Sequence, residues 1–269
     1  MAELAEKAEV AQAAAPVAPG RLPGPGPLLA GQVRYQALLL LRSPRAMWAG
    51  VLLPVMLLVL TNIQHASVAA SALASRAVLG VTLTTYLTHA AGLVAAREAG
   101  VLKRWRATPL PPWCYFAGRM AATVLLAIVS GAVTVTVGVV VYHARLTPGG
   151  AVSLLLALGM AALAWAGVGT AMTAVIPTAD AAQPLLALTY FPVMLLSGVL
   201  GGLGGLPPWL ATALRYLPGQ PTIDAATRAL QAGAAVPVPL RDLAVLAAWA
   251  VVALLVSLRA FRWEPRAAR

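Results

Sequence analysis

The residues with the most evident chemistry lie between two long apolar blocks, at 97–113 (REAGVLKRWRATPLPPW). After Arg97, the charged side chains of this segment are Glu98, Lys103, Arg104 and Arg106, and its apolar stripe is Val101, Leu102 and Trp105. A short amphipathic helix of this kind can place its apolar side in a groove on a partner protein while its charges set the register. A basic loop that anchors to anionic headgroups would use the same residues. The chemistry alone leaves both interpretations open.

The chain lacks the residues that would let it hydrolyse ATP. A P-loop ends in Gly-Lys-Ser/Thr, and neither lysine, Lys7 or Lys103, follows a glycine. The sequence contains no carboxylate pair or histidine cluster suited to acid–base or metal chemistry. We therefore expect no catalytic residue, no metal site and no cofactor in this chain, and any ATP and Mg²⁺ to be bound by a partner ATPase.

Ion coupling is also disfavoured. No Asp, Glu, Lys or Arg lies inside the membrane spans predicted below, whereas ion-coupled transporters usually carry such groups near the membrane centre. His89 is the one candidate, and a lone histidine in a span is more often a hydrogen-bonded packing residue.

These residues must be positioned by membrane helices. Of the 269 residues, 60% are hydrophobic and 10% charged, with a mean hydropathy of +0.83. A soluble domain has about 25% charged residues. The long uncharged blocks are rich in Ala, Leu, Val and Gly and show no period-2 alternation, which predicts helices rather than a barrel. A single cysteine excludes an internal disulfide. The six predicted spans are 46–63 (with a kink at Pro54), 77–96, 120–142, 150–175, 182–200 and 243–258.

The basic residues predict the orientation of these spans. The net charge of +11 could suggest nucleic-acid binding, but the basic residues flank the apolar blocks instead of forming one face. With a cytoplasmic N-terminus, fourteen of the 19 Lys and Arg residues lie inside and five lie outside. Six spans place both termini on that side, and no nucleic-acid partner is expected. The five outside residues are Arg76, Arg145, Arg215, Arg228 and Arg241.

Four regions follow from this pattern. Residues 1–27 are expected to be a disordered cytoplasmic tail, and 28–45 an interfacial helix with Val33, Ala37, Leu40 and Leu41 at helical spacing. Residues 46–258 form the six-span domain, and 259–269 a basic cytoplasmic tail. Between the fifth and sixth spans, two apolar helical pieces, 208–217 and 223–231, are expected to re-enter the membrane from outside.

The 97–113 segment resembles the signature of type-2 ABC exporter permeases, the class that contains the daunorubicin/doxorubicin-resistance membrane subunits. In that class an acidic residue, Gly, Leu, a basic residue and Thr-Pro-Leu precede the third span. The resemblance covers about residues 30–260, and Ala95-Ala96-Arg97 and Val101 depart from the family pattern. The matching residues are Glu98, Gly100, Leu102, Arg104, Thr108, Pro109 and Leu110, then Asp180-Ala181-Ala182, Leu196-Ser197-Gly198-Val199, Leu206-Pro207, Trp209 and Leu217-Pro218.

The resemblance implies an all-α permease subunit of the bacterial inner membrane, paired as a homodimer or heterodimer and embedded in lipid. A separate cytoplasmic ABC ATPase would drive export of a lipophilic or amphipathic compound, such as a drug, an antibiotic or a lipid. The implied ATPase-coupling helix, between the second and third spans, comprises Arg97, Glu98, Gly100, Val101, Leu102, Lys103, Arg104, Trp105, Thr108 and Pro109.

Substrate-path candidates follow from the family's use of the first, second and fifth spans, and the same residue types also serve in ordinary helix packing. They are Tyr86, Tyr190, Phe191 and Met194. The rival functions are an exporter of large polar substrates such as polysaccharides, an ATP-independent facilitator or channel, and a docking protein that transports nothing. A facilitator would work without a partner and would usually show an internal repeat, and none is convincing here. A docking protein would bind a partner without ATP-linked transport.

Overall fold

The computed structural model describes residues 24–106, 111–199, 207–231 and 239–260, and within these ranges the regular structure is helical. Six helices are long and apolar enough to cross a membrane, which confirms the predicted all-α architecture with six spans. The helices are α1 (Pro25–Leu41), α2 (Pro44–Asn62), α3 (Ala70–Glu98), α4 (Val101–Arg106), α5 (Pro112–Tyr142), α6 (Pro148–Met172), α7 (Ala179–Leu196), α8 (Pro208–Leu214), α9 (Gly219–Gln231) and α10 (Leu240–Ala260).

We call the end of the bundle that carries α4 the inner end, and the end that carries α8 the outer end. The second and third spans extend further than the sequence predicted. Helix α3 starts at Ala70 and α5 at Pro112, so Arg76 and Arg119 lie within helices and not beside them. Each guanidinium donates to a backbone carbonyl: Arg76 to that of Val199 and Arg119 to that of His89. The nitrogen–oxygen distance is 3.4 Å in both. Both arginines lie just outside the predicted spans but inside the longer helices, where a long side chain can find a carbonyl partner.

Capping residues explain where several helices begin. Thr147 accepts a hydrogen bond from the Gly150 amide at the start of α6, and Thr178 accepts one from the Ala181 amide at the start of α7. These side chains satisfy amides that the first helical turn leaves free. A glycine with a φ of +69°, Gly100, separates α3 from α4, because that left-handed conformation suits a residue without Cβ.

Helix α3 lies at the centre of the bundle. In an apolar stretch of 18 residues of this helix, 78% of the residues are buried, compared with 22% in the corresponding stretches of α2 and α7 and 17% in that of α10. It packs against α2, α5, α6, α7 and α9. A second row of contacts joins α6 to α5, α9 and α10. Any movement of α3 therefore reaches most of the bundle directly.

A widened turn precedes the proline of the first span, where the sequence predicted a kink. Residues Trp48–Leu52 are π-helical, and Pro54 lies two residues after this turn. Because proline has no N–H, it cannot bond the carbonyl of Gly50 four residues earlier. Ser130 of α5 supplies the missing donor to that carbonyl. Helix α3 has a similar π-helical turn at Leu83–Thr88, opposite α6.

Helix α1 packs in a way that the sequence pattern did not predict. It begins at Pro25, inside the stretch expected to be a tail, and it lies along α5. The side chains that it buries are Gln32 and Gln36, and Gln32 contacts the helix surface at Gly118. Leu38, Leu39 and Leu41 are exposed instead. The apolar stripe Val33, Ala37, Leu40 and Leu41 stays half-buried or exposed, because α1 packs its amide face against the bundle; its contact with the membrane remains a prediction.

The two short helices of the outer segment replace the predicted 208–217 and 223–231. Helix α8 ends at Leu214, and α9 begins at Gly219. Helix α9 packs against α3, α6 and α10, and its apolar side joins the main core through Ile223, Ala226 and Leu230.

Candidate functional site

Helix α4 is held against the inner end of the bundle by its apolar side. Leu102 is fully buried and packs with Leu93 of α3 and Tyr115 of α5. The sequence placed Leu102 in the stripe that enters a partner's groove, but this side chain belongs to the chain's own core. Lys103 and Arg104 face outward and are exposed. The surface that α4 offers to a partner is therefore basic.

The other predicted coupling residues are distributed around this helix. Val101 is half-buried, and Gly100 makes the turn before α4. The side chain of Trp105 lies outside the described residues, as do Thr108 and Pro109. Arg97 and Glu98 are the last two residues of α3, and both are engaged within the chain.

Arg97 reaches the connection between α6 and α7. The residue is 4% exposed, and its guanidinium donates to the carbonyls of Thr173 (2.9 Å), Ile176 (2.6 Å) and Pro177 (3.3 Å). Carbonyls at the C-terminus of a helix have no intrahelical partner, and a positive charge there is favourable. A buried guanidinium is uncommon unless paired, so this contact is specific.

Glu98 reaches the beginning of α7. One carboxylate oxygen accepts a hydrogen bond from the backbone N–H of Ala179 over 2.6 Å. The N-terminus of a helix favours negative charge, because its first amides are free and the helix dipole is positive there. The positive Arg97 thus binds a carbonyl at the C-terminal end of α6, where the helix dipole is negative, and the negative Glu98 binds the first amide of α7, where it is positive.

Three of the four substrate-path candidates are packed in the core. Tyr86, Tyr190 and Met194 are at most 2% exposed, whereas Phe191 is 49% exposed. The rings of Tyr86 and Tyr190 stack at a centroid distance of 5.9 Å. Each tyrosine hydroxyl is also bonded: Tyr86 to Thr189 (2.6 Å) and Tyr190 to Thr82 (2.7 Å). In this conformation Phe191 is the candidate that a substrate could reach.

Sequence reasoning missed the partners of this aromatic cluster. Trp165 of α6 meets both tyrosine rings edge-on, at 5.6 and 6.1 Å, and its indole N–H donates to Thr222 of α9. Nothing in the sequence marks Thr82 or Thr189, because threonines are common in apolar helices. Only the packing of four helices makes these two threonines the partners of the tyrosines, and Thr222 the partner of Trp165.

His89 joins three spans. One ring nitrogen lies 3.0 Å from the hydroxyl of Thr123 on α5, and the other lies 3.0 Å from that of Thr170 on α6. The residue is 3% exposed. Both nitrogens thus have hydroxyl partners, an arrangement that fits the packing role favoured by the sequence.

A charged cavity of about 420 Å³ lies at the outer end, between α8, α9 and α10. Asp242 in its wall is buried and lies 2.8 Å from a guanidinium nitrogen of Arg228, which is half-exposed. That oxygen makes no hydrogen bond, so the contact with Arg228 is electrostatic and poorly aligned. Among the described residues, no group of three His, Cys, Asp or Glu side chains is placed to hold a metal ion.

The sequence was compared with known protein families and with curated proteins. A family model described as "ABC-2 family transporter protein" matches residues 42–259, which span the chain from the first residue after α1 into α10. No curated protein matches the chain.

Proposed function

The chain belongs to the ABC-2 family of transporter proteins, and from this premise we propose that it is the permease subunit of an ATP-driven exporter. It is a multi-pass membrane protein, and members of this family are transport subunits that work with ATPase subunits. The finer proposal places it in a bacterial inner membrane, with both termini cytoplasmic. ATP and Mg²⁺ belong to the partner, since the chain has no P-loop.

The observation that carries the proposal is the position of α4. This helix lies at the inner end, directly after the most buried span, and it presents Lys103 and Arg104 outward. Its apolar side chain Leu102 is fixed on α3 and α5. A partner that displaced α4 would therefore move the centre of the bundle, which is the arrangement that ATP-driven transport needs.

The exposed apolar faces of α2 and α7 favour a second copy of the chain and a lipophilic substrate. On α7, Leu188 is 71% exposed and Phe191 49%, and α2 has an equally small buried share. These apolar surfaces suit lipid, a second permease or an amphipathic compound in transit. We propose a dimer that uses α2 and α7, with export of a lipophilic or amphipathic compound between its halves.

Docking of the ATPase can be tested by co-purification from native membranes in mild detergent, with stoichiometry measured by mass spectrometry. The variant is Lys103→Glu with Arg104→Glu, because both side chains are exposed. Leu102 is unsuitable, since it is part of the core. The matched control is Arg42→Glu with Arg45→Glu, which makes the same charge change at exposed positions on the same side.

We expect wild type and control to recover a P-loop ATPase at one per permease and the Lys103/Arg104 variant to lose it. Recovery of the chain alone from native membranes would favour the facilitator or channel. A partner without a nucleotide site would favour the docking protein. An ATPase that binds all three proteins equally would place the contact elsewhere than α4.

A further inference from the structure

Helices α3 and α7 are bonded to each other at three levels. At the outer end, Arg76 of α3 donates to the carbonyl of Val199, just after α7. In the middle, the two tyrosine–threonine pairs described above cross between the helices in opposite senses, one tyrosine on each helix. At the inner end, Glu98 accepts from the first amide of α7. Polar contacts at both ends and in the middle restrict sliding and tilting of one helix against the other.

The inner contact is the one closest to α4. Only Ala99 and Gly100 separate Glu98 from the first residue of α4. Arg97, one residue earlier, holds the three carbonyls of the α6–α7 connection, and its guanidinium is nearly buried. Leu102 prevents α4 from turning freely, because it is packed between Leu93 and Tyr115. A force on α4 therefore acts on the α6–α7 connection as well as on α3.

We propose that Arg97 and Glu98 form a latch that carries the movement of α4 into α7, so that α3 and α7 move as one unit. The two side chains are positioning residues: they contact the chain's own helix ends and leave Lys103 and Arg104 to contact the partner. This inference rests on the proposed function, since it requires an ATPase that displaces α4. It assigns span five, which carries the exposed Phe191, as the element that the nucleotide state moves through the latch.

Lysine is a poor substitute at position 97. The guanidinium presents several N–H groups in a fixed plane, so a single side chain reaches carbonyls on three residues, whereas an ammonium is a point charge. Glu98 depends on a carboxylate oxygen facing one amide, and alanine removes the acceptor entirely. The latch should therefore be weakened to different degrees by three variants: Arg97→Gln, Arg97→Lys and Glu98→Ala. Arg45→Gln is the control, because Arg45 is exposed at the same end of the bundle.

The first measurement is hydrogen–deuterium exchange of the purified permease in detergent, without an ATPase. A charge-assisted hydrogen bond protects the Ala179 amide, so Glu98→Ala should speed its exchange by about tenfold or more. Arg97→Gln should speed exchange across residues 173–179, Arg97→Lys less, and Arg45→Gln not at all. Unchanged exchange in both Arg97→Gln and Glu98→Ala would overturn the latch itself, whatever the function of the protein.

The second measurement uses the permease–ATPase complex, with and without ATP and vanadate. In wild type we expect trapping of the nucleotide to change exchange in α7 peptides (179–196). In Arg97→Gln the complex should purify at wild-type stoichiometry and hydrolyse ATP, but the nucleotide-dependent change in α7 should be lost; Arg97→Lys serves if the glutamine variant does not fold. An α7 response that persists in the variants overturns the inference alone. Absence of an ATPase from the wild-type preparation overturns the proposed function, and the inference with it.

Discussion

Close approach of α6 to the widened turn of α3 can be tested with one methyl group. A Cβ added at Gly169 would lie 3.1 Å from the carbonyl oxygen of Tyr86, 3.2 Å from that of Thr85 and 3.3 Å from the Tyr86 Cα. All three are backbone atoms, so no side chain can rotate away to make space. The two helices must separate, or the π-helical turn of α3 must change shape.

The size of the effect follows from two opposing contributions. Glycine to alanine within a helix gains about 0.5–1 kcal/mol because the unfolded chain loses less freedom. Overpacking a tight contact costs about 1–3 kcal/mol. Gly169→Ala should therefore lower the free energy of unfolding by about 1 kcal/mol, within a range of roughly 0–2.5 kcal/mol. Gly159→Ala on the same helix is the control, because its Cβ would meet only Ile128 Cδ1 at 3.9 Å, an ordinary contact. It should be stabilising by about 0.5–1 kcal/mol.

Both variants can be compared by SDS-induced unfolding in mixed micelles, followed by tryptophan fluorescence. Opposite signs are expected for the two substitutions. Equal stabilisation by both would show that α6 and α3 do not meet at Gly169 and would refute the packing described above. Thr173 lies one turn beyond Gly169 and accepts from Arg97, so a displaced α6 should also speed exchange in the α6–α7 connection.

Two further substitutions test the buried polar contacts by the same unfolding assay. His89→Leu removes hydrogen bonds to two spans and should lower the free energy of unfolding by about 1–3 kcal/mol. The control His65→Leu, at an exposed position outside the spans, should lower it much less. Similar values for the two variants would argue against the contact of His89 with three spans. Tyr190→Phe should lower the free energy of unfolding by only about 1 kcal/mol, since Thr82 keeps its hydrogen bond to a backbone carbonyl. Tyr216→Phe, at an exposed ring, is the control. An unchanged stability of Tyr190→Phe would contradict the tyrosine–threonine contact.

Sequence reasoning predicted the helices better than it predicted their faces. Apolar blocks and flanking charges fix where a membrane helix must lie, and six of them are present. Leu102 of α4 packs in the chain's own core, and α1 buries two glutamines, because an amphipathic pattern identifies an apolar side but not what covers it. A pattern read as a docking surface for another protein can equally pack on a neighbouring span, and local sequence does not distinguish the two.

The sequence by itself determined that this chain is an all-α membrane protein with six spanning helices, because bilayer thickness and backbone hydrogen bonding leave few alternatives for such composition. It also located the basic segment at 97–113. Tertiary structure alone decided which described residues of that segment are exposed, such as Lys103, and which are bound within the chain, such as Arg97 and Leu102. Arg97 and Thr173 are 76 residues apart, and Tyr190 and Thr82 are 108 apart. Such partners meet only when helices pack, since a hydrogen bond depends on positions in space that local sequence does not encode.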